Sequence, residues 1–522
     1  MRRMVLLGLL CFVLLLTVTG CTEPQQGVEG NLRWSLDRWG TITIEGEGTI
    51  PDYFRAAFDT EMGLGAVLSQ ATHLVIGEGI TEIGYSAFFG MPRLKTVELP
   101  DSITEIGRYA FSSCDSLIEL RIPAGVTQIS DIISDSVKVR RLYLPAGVEN
   151  IESGLACPAL EEFIVDEGNP YLISRDGVIF SADGTVLLAY PAGKKDKVYT
   201  VPEGVAKIGW CAFAYAQKLT EVILPEGVRT ICRGGFSDGE NLRAVHLPRT
   251  LETIEAYAFE GCPSLEDIRL PDSLTSVGEG AFLFCDSLQE INLPSQLTEI
   301  ADNLFQNCGS LTSVTLPEAL SRIGRAAFWD CDALTTVHLP AAVQTIDWGA
   351  FTSCYQLSSF TVDPGNPIYT AIGGVLCSAD GKTLVSYPLG RGDVVYRVPE
   401  GIVHIAPYAF YYADELETVI LADSVSTMGE HVFAYCKKLT AITLPSQMIA
   451  VPERAFIGCS SLRILTLPAG LQKIGEGAFI DAESMAQIRF GGTELQWASV
   501  EIDTNNDALQ QAEVIFGAEQ EP

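Results

Sequence analysis

Apolar and polar positions recur along this chain with a period of 23 residues, and phenylalanine marks each repeat. Phe213, Phe236, Phe259, Phe282, Phe305, Phe328 and Phe351 form one unbroken run, Phe410, Phe433, Phe456 and Phe479 a second, and Phe88 and Phe111 a third. One repeat reads Leu311-x-x-Val314-x-Leu316-Pro317-x-x-Leu320-x-x-Ile323-Gly324-x-x-Ala327-Phe328-x-x-Cys331. Ser313 to Leu316 alternates and is rich in strand formers, which predicts a short strand with Val314 and Leu316 turned inward. Pro317 lacks an N–H, so the ladder ends there. Leu320 and Ile323 point into the same core, and Gly324 permits the next bend. Arg325 to Trp329 is too short for an independent helix and predicts a single helical turn on the outer side. Cys331 then closes the coil before Leu334 begins the next.

A fixed period of this length implies a solenoid, in which a repeat buries its apolar face by stacking on its neighbours. Equivalent strands about 4.8 Å apart would form one parallel sheet, and about fifteen units would build a curved rod about 70 Å long. Between Phe111 and Phe213 two units lose the phenylalanine but keep core positions: Ile129, Leu142 and Leu144, then Ile151, Cys157 and Leu160. Two segments depart from the metre together. Val165-Asp166-x-Gly168-Asn169-Pro170, Ser181-Ala182-Asp183-Gly184 and Tyr190-Pro191 recur 197 residues later as Val362-Asp363-x-Gly365-Asn366-Pro367, Ser378-Ala379-Asp380-Gly381 and Tyr387-Pro388. Asp-Gly between apolar runs signals a hairpin, so variant hairpin-bearing coils are expected near 165–200 and 362–397.

The ends read differently. Arg2-Arg3, the apolar run Val5 to Val18 and Val18-Thr19-Gly20-Cys21 form a secretory signal over residues 1–20 with a lipobox, so Cys21 is expected to be acylated. The alternatives are an ordinary cleaved signal or an uncleaved anchor, for which the run is short and wrongly flanked. No other stretch is long and apolar enough to cross a bilayer, which makes the lipid the expected tether. Residues 21–29 are polar and read as a flexible leader, 30–72 as an N-terminal cap, 73–490 as the solenoid, and 491–522 as a C-terminal cap and acidic tail. The formal net charge is −32, and −34 once Arg2 and Arg3 leave with the signal. Such a balance argues against nucleic acid and against basic-patch adhesion to membranes, and it also serves solubility.

The pattern L-P-x-x-[VL]-x-x-I-x-x-x-A-F-x-x-C-x-x-L, from Leu270 to Leu288 and again from Leu293 to Leu311, resembles the BspA-like, Treponema pallidum-type leucine-rich repeats. The resemblance covers residues 30–516. It implies a leucine-rich repeat solenoid with a strand and a short helical turn per repeat, a capping N-terminal segment, variant hairpin coils, exposure at a bacterial cell surface, and adhesion. It says little about the ligand.

Candidate chemistry is sparse. Nine cysteines (Cys114, Cys157, Cys262, Cys285, Cys308, Cys331, Cys354, Cys436 and Cys459) share one position of the repeat. Stacked about 5 Å apart they could suggest a disulfide ladder or a metal stripe. Other repeats place Met91, Ala216, Gly239, Ala413 or Ala482 there, so a small buried core residue is the expectation. His246 and His338 lie four repeats apart, about 20 Å, too far to share a metal. Asp380-Gly381-Lys382-Thr383 imitates the end of a phosphate-binding loop, but Leu376 stands where its first glycine belongs. No nucleophile–base set or metal-binding helix motif is present, and neither an enzyme nor a cofactor is expected.

What remains is the concave face, formed by the outward positions that flank the inward Val or Ile of each strand. Its candidate contacts are Glu119, Tyr143, Glu162, Glu221, His246, Asp267, Arg269, Glu290, Asn292, Thr315 and His338. Extended solenoid faces are binding surfaces, although threonine is also simply a good strand residue. The expectation is a non-enzymatic, lipid-anchored surface protein with a protein or glycan ligand. The alternative is a structural envelope or spacer protein without one.

Overall fold

In the computed structural model the 23-residue repeat closes into a coil with three sides. Residues 25–52, 67–136, 138–151 and 157–517 are described, and the chain divides into two compact units, 1–148 and 149–522. The first side is a strand of two to four residues with its apolar centre inward, as in Ser313–Thr315 around buried Val314. The second is a two-residue strand such as Arg322–Ile323, whose isoleucine is fully buried. The third carries the phenylalanine.

Successive coils pair in parallel at the 23-residue offset. Glu221 faces Ala244 and Ala244 faces Asp267 on the first side, and Thr230, Thr253 and Ser276 follow one another on the second. A single continuous sheet was expected from the spacing, and the structure corrects this in two ways. The second side contributes its own parallel ladders, and the first side of the 149–522 unit breaks into separate ones, Glu290–Asn292 with Ser313–Thr315 standing apart from Thr336–Leu339 with Ser359–Val362. Three-residue strands offer few ladder bonds, so a slight change of register between coils ends a ladder. Single bonds such as Thr335 N to Thr312 O still bridge the break.

The third side is not helical. Backbone N–H groups alternate between their own coil and the next one. Ala281, Leu283 and Cys285 donate to Gly278, Gly280 and Phe282, while Gly280, Phe282 and Phe284 donate to Asp302, Leu304 and Gln306 of the following coil. The alternation requires positive φ two residues before and two after the phenylalanine, as at Gly280 (57°) and Phe284 (61°), or Asn303 (57°) and Asn307 (58°). A helical turn would have kept these bonds inside one coil, leaving this side without inter-coil bonds. Stacking therefore overrides the local helical preference of Arg325 to Trp329.

The phenylalanines stack through the interior. Centroids are 4.9 Å apart for Phe213 and Phe236 and 5.7 Å for Phe282 and Phe305, with nearly parallel rings. Full burial of one such ring contributes about 1.5–3 kcal/mol.

The two variant segments share one design. In the first, Leu172–Arg175, Val178–Ser181 and Val186–Ala189 form an antiparallel meander whose last strand joins the short-strand ladder beside Lys207–Ile208. In the second, Tyr369–Ile372, Val375–Ser378 and Thr383–Ser386 do the same beside His404–Ile405. Asp183 Oδ1 accepts from Ser181 Oγ and Thr185 N, and Asp380 Oδ1 accepts from Ser378 Oγ and Lys382 N. The Asp380 to Thr383 sequence is thus a hairpin turn and not a phosphate loop. Tyr190 and Tyr387 occupy the phenylalanine position and donate to Asp196 and Asp393.

At the N-terminal end, Gln25–Glu29 pairs antiparallel with Leu32–Leu36, which pairs with Thr41–Glu45. The reading of 21–29 as a slack leader is therefore corrected from Gln25 onward. Gly27 explains the close fit, since a Cβ there would lie 2.5 Å from the Trp34 ring. The signal, Cys21 and the acidic tail lie outside the described residues. At the other end, Thr493 and Gln496 form a capping box on the helix Glu494–Trp497, and Glu513–Phe516 pairs in parallel with Gln487–Phe490.

Candidate functional site

The first-side strands hold their outward residues by the alternation that buries their centres. Val222 and Val245 are buried, so Glu221, Ile223, Ala244 and His246 project away from the core. Register brings Ile223 opposite His246, and His246 Nε2 lies 2.9 Å from Glu221 Oε1. Asp267 follows Ala244 in register and lies 3.8 Å from Arg269, whose side chain is 91% exposed. Glu290 and Asn292 are exposed and paired to Ser313 and Thr315. Exposed His338 meets Thr361 Oγ1 at 3.0 Å through Nδ1. Glu162 is exposed and packs against the Gly177 turn of the first variant segment.

Glu119 and Tyr143 belong to the 1–148 unit and build a separate cluster there. Arg141 bonds Glu119 at 2.8 Å, the Tyr143 hydroxyl lies 3.5 Å from the same carboxylate, and the Arg121 guanidinium sits 3.7 Å over the Tyr143 ring. The predicted contacts thus form local pairs along the strands instead of one converging pocket. Among the described residues no group of three or more His, Cys, Asp or Glu side chains is placed to hold a metal.

The cysteine stripe is core. Cys262, Cys285, Cys308, Cys331, Cys354, Cys436 and Cys459 are free, buried thiols. Cys308 Sγ donates to the Phe282 carbonyl of the preceding coil at 3.2 Å, and Cys331 to Phe305 at 3.1 Å. Burial pushes Cys262 and Cys459 up to about 12. A high thiol pKa suppresses the thiolate that reaction or metal binding needs.

A second surface went unseen in the sequence. On the turn side, Trp329, Trp348, Tyr408, Tyr411, Tyr412 and Tyr435 draw together beside the second variant segment. Trp348 stacks on Tyr408 at 5.0 Å, Tyr412 on Tyr435 at 4.9 Å, and Tyr411 meets Trp329 edge-on at 5.3 Å. Burial raises the Asp330 carboxyl, which accepts from Asn307. The signal was present in the duplication: at the offset of 197 residues, Tyr408, Tyr411 and Tyr435 correspond to Cys211, Ala214 and Asp238.

Known proteins narrow the identity. The family model for the BspA type leucine-rich repeat region matches residues 68–167, 197–282, 252–370 and 396–498, in six copies. The chain is a BspA-type leucine-rich repeat protein. Among solved structures of related repeat proteins it is similar to a leucine-rich cell surface protein from Faecalibacterium prausnitzii, at 30% identity and a TM-score of 0.55, covering 64% of this chain and 98% of that one. A leucine-rich repeat protein from Eubacterium ventriosum matches at 24% identity with a TM-score of 0.48, covering 64% and 95% of the two chains. The pneumococcal vaccine antigen PcpA matches at 21% identity with a TM-score of 0.47, covering 66% and 98%. No curated protein matches this BspA-type chain.

Proposed function

We propose that this BspA-type protein is a non-enzymatic, lipid-anchored protein of a bacterial cell surface that binds a macromolecular ligand through the outward side of its longer strands. The Faecalibacterium relative is described as a cell surface protein, which supports export of this chain. The lipobox at Cys21 supplies the anchor. The observation that carries the binding reading is the charged stretch at Glu221, Asp267 and Glu290, whose side chains project from the strands without a core role. Its carboxylates suit a protein partner with a basic patch, beside Arg269 and His246.

Attraction of this kind accelerates association and weakens with salt, since the Debye length is only about 8 Å at 0.15 M. Replacing Glu221, Asp267 and Glu290 together by lysine is expected to slow association with the partner by about tenfold or more and to flatten its salt dependence. Association kinetics of the triple variant, with a ligand recovered by screening the full chain, checks this. An unchanged on-rate and salt dependence would remove the strand face from the binding site.

A further inference from the structure

The aromatic cluster beside the second variant segment is not a requirement of the fold. The first variant segment has the same meander, the same Tyr–Asp bond and a matching following coil, with Phe213 where the second has Phe410, and it keeps Tyr215 in place of Tyr412, yet it carries Cys211, Ala214 and Asp238 where the second has Tyr408, Tyr411 and Tyr435. The meander and the coil that follows it therefore do not require Tyr408, Tyr411 and Tyr435.

Their surroundings describe the ligand. Trp348 is 47% exposed and Tyr355 40%, so the patch is open to solvent. Between Trp348 and Thr352 on one side and Ser386, Pro407 and Tyr408 on the other lies a cavity of about 130 Å³. The hydroxyls of Tyr408, Tyr411, Tyr412 and Tyr435 make no hydrogen bond among the described residues and are not enclosed. Each can both donate and accept. Elsewhere on this side the Tyr257 hydroxyl is held by Glu279 at 2.8 Å.

Asp330 and Asp414 stand beside the rings, which disfavours phosphate, nucleic acid and acidic sugars. Cations of the chain itself already cover two ring faces: the Arg325 guanidinium lies 5.5 Å from Trp348, and Lys437 Nζ lies 5.4 Å from Tyr412. Lysine and arginine side chains of a basic peptide would find those faces taken and would offer the phenols donors only. A neutral ligand rich in hydroxyls, with C–H groups to set against the exposed ring edges, satisfies both the open apolar edges and the unpaired phenols.

We infer that this cluster is a carbohydrate-binding site for a neutral oligosaccharide, separate from the strand face. The test is titration of the full chain with neutral oligosaccharides of glucose, mannose, galactose and N-acetylglucosamine, and with oligolysine, followed by tryptophan fluorescence and calorimetry. At least one oligosaccharide is expected to bind. Trp348→Ala should weaken it about tenfold or more through the lost apolar contact of the exposed ring edge. Tyr411→Phe, which keeps the ring and its packing, should weaken it about threefold to tenfold through the lost hydroxyl. The strand-face triple variant should bind the sugar unchanged, so failure of either reading is visible without the other. The inference is overturned if no oligosaccharide of the panel binds, if Trp348→Ala and Tyr411→Phe both bind like the parent, or if salt-sensitive oligolysine binding is all that the cluster supports.

Discussion

Cysteine follows phenylalanine by three residues in seven coils of the 149–522 unit, and the geometry gives the reason. The site is fully enclosed, so size comes first, and Ala216, Ala413 and Ala482 serve in other coils. Where cysteine stands, its thiol adds a weak donor to a phenylalanine carbonyl that already accepts one N–H. Phe282 O receives both Cys285 N and Cys308 Sγ. The thiols point at carbonyls and not at one another, so no disulfide forms among these seven. Burial favours the neutral thiol, which raises the folded pKa of Cys262 and Cys459 from 9.0 to about 12. The unfolded chain releases these protons near pH 9 while the folded chain retains them. The associated stability is therefore fully present below pH 9 and is lost as pH rises through about 12. Urea midpoints measured from pH 7 to 12 should be steady at first and then fall, and Cys262→Ala with Cys459→Ala should shrink the fall. Buried Tyr190 and Tyr387 act in the same direction from about pH 10, so the difference between parent and variant is the informative quantity.

At the level of elements, the variant segments depend on one buried residue each. Asn366 Oδ1 accepts from Ile368 N and Tyr369 N, and its Nδ2 donates to Pro340 O and Val343 O of the preceding coil. Replacing it with alanine strands four backbone groups in a nearly closed site, and Asn366→Ala is expected to cost about 2–4 kcal/mol. Hydrogen exchange should register the loss in Tyr369–Ile372 and Val375–Ser378 first. The Asp-Gly pairs made the hairpins legible because the turn chemistry is local. The short second-side strands were not legible, since two residues such as Arg322–Ile323 cannot display an alternation. The turn side was misread for a related reason. Its positive-φ positions hold Tyr, Asn, Asp, Ala and Arg as often as Gly, so no glycine signal marks them, and the inter-coil bonds that select that backbone have no counterpart in local propensity. The aromatic cluster escaped notice because its members run from Trp329 to Tyr435 and meet only after the variant segment folds between them.

For the whole molecule, the period was enough to read a stacked core, because every coil repeats one solution to burial. The ligand face was less legible, because outward residues are free to vary without a period. Stacking also makes coupling run between nearest neighbours. Phe282→Ala removes a fully buried ring stacked on Phe259 and Phe305 and is expected to cost about 3–5 kcal/mol. Loss of exchange protection should concentrate in the coils of those three rings, and loss spread evenly along the chain would contradict the stacked-repeat architecture. The proposed anchor concerns the molecule as a unit too, because a surface held by lipid is released when that lipid is missing. Acylation needs the thiol of Cys21 after Thr19-Gly20, and a single acyl chain binds membrane only marginally, so stable anchoring takes two hydrophobic attachments. Cys21→Ala is therefore expected to leave the chain unprocessed or shed into the medium, while the parent partitions with membranes. Mass spectrometry of the parent's N-terminus decides the matter: a diacyl-modified Cys21 supports the anchor, and an unmodified residue beyond Cys21 rules it out.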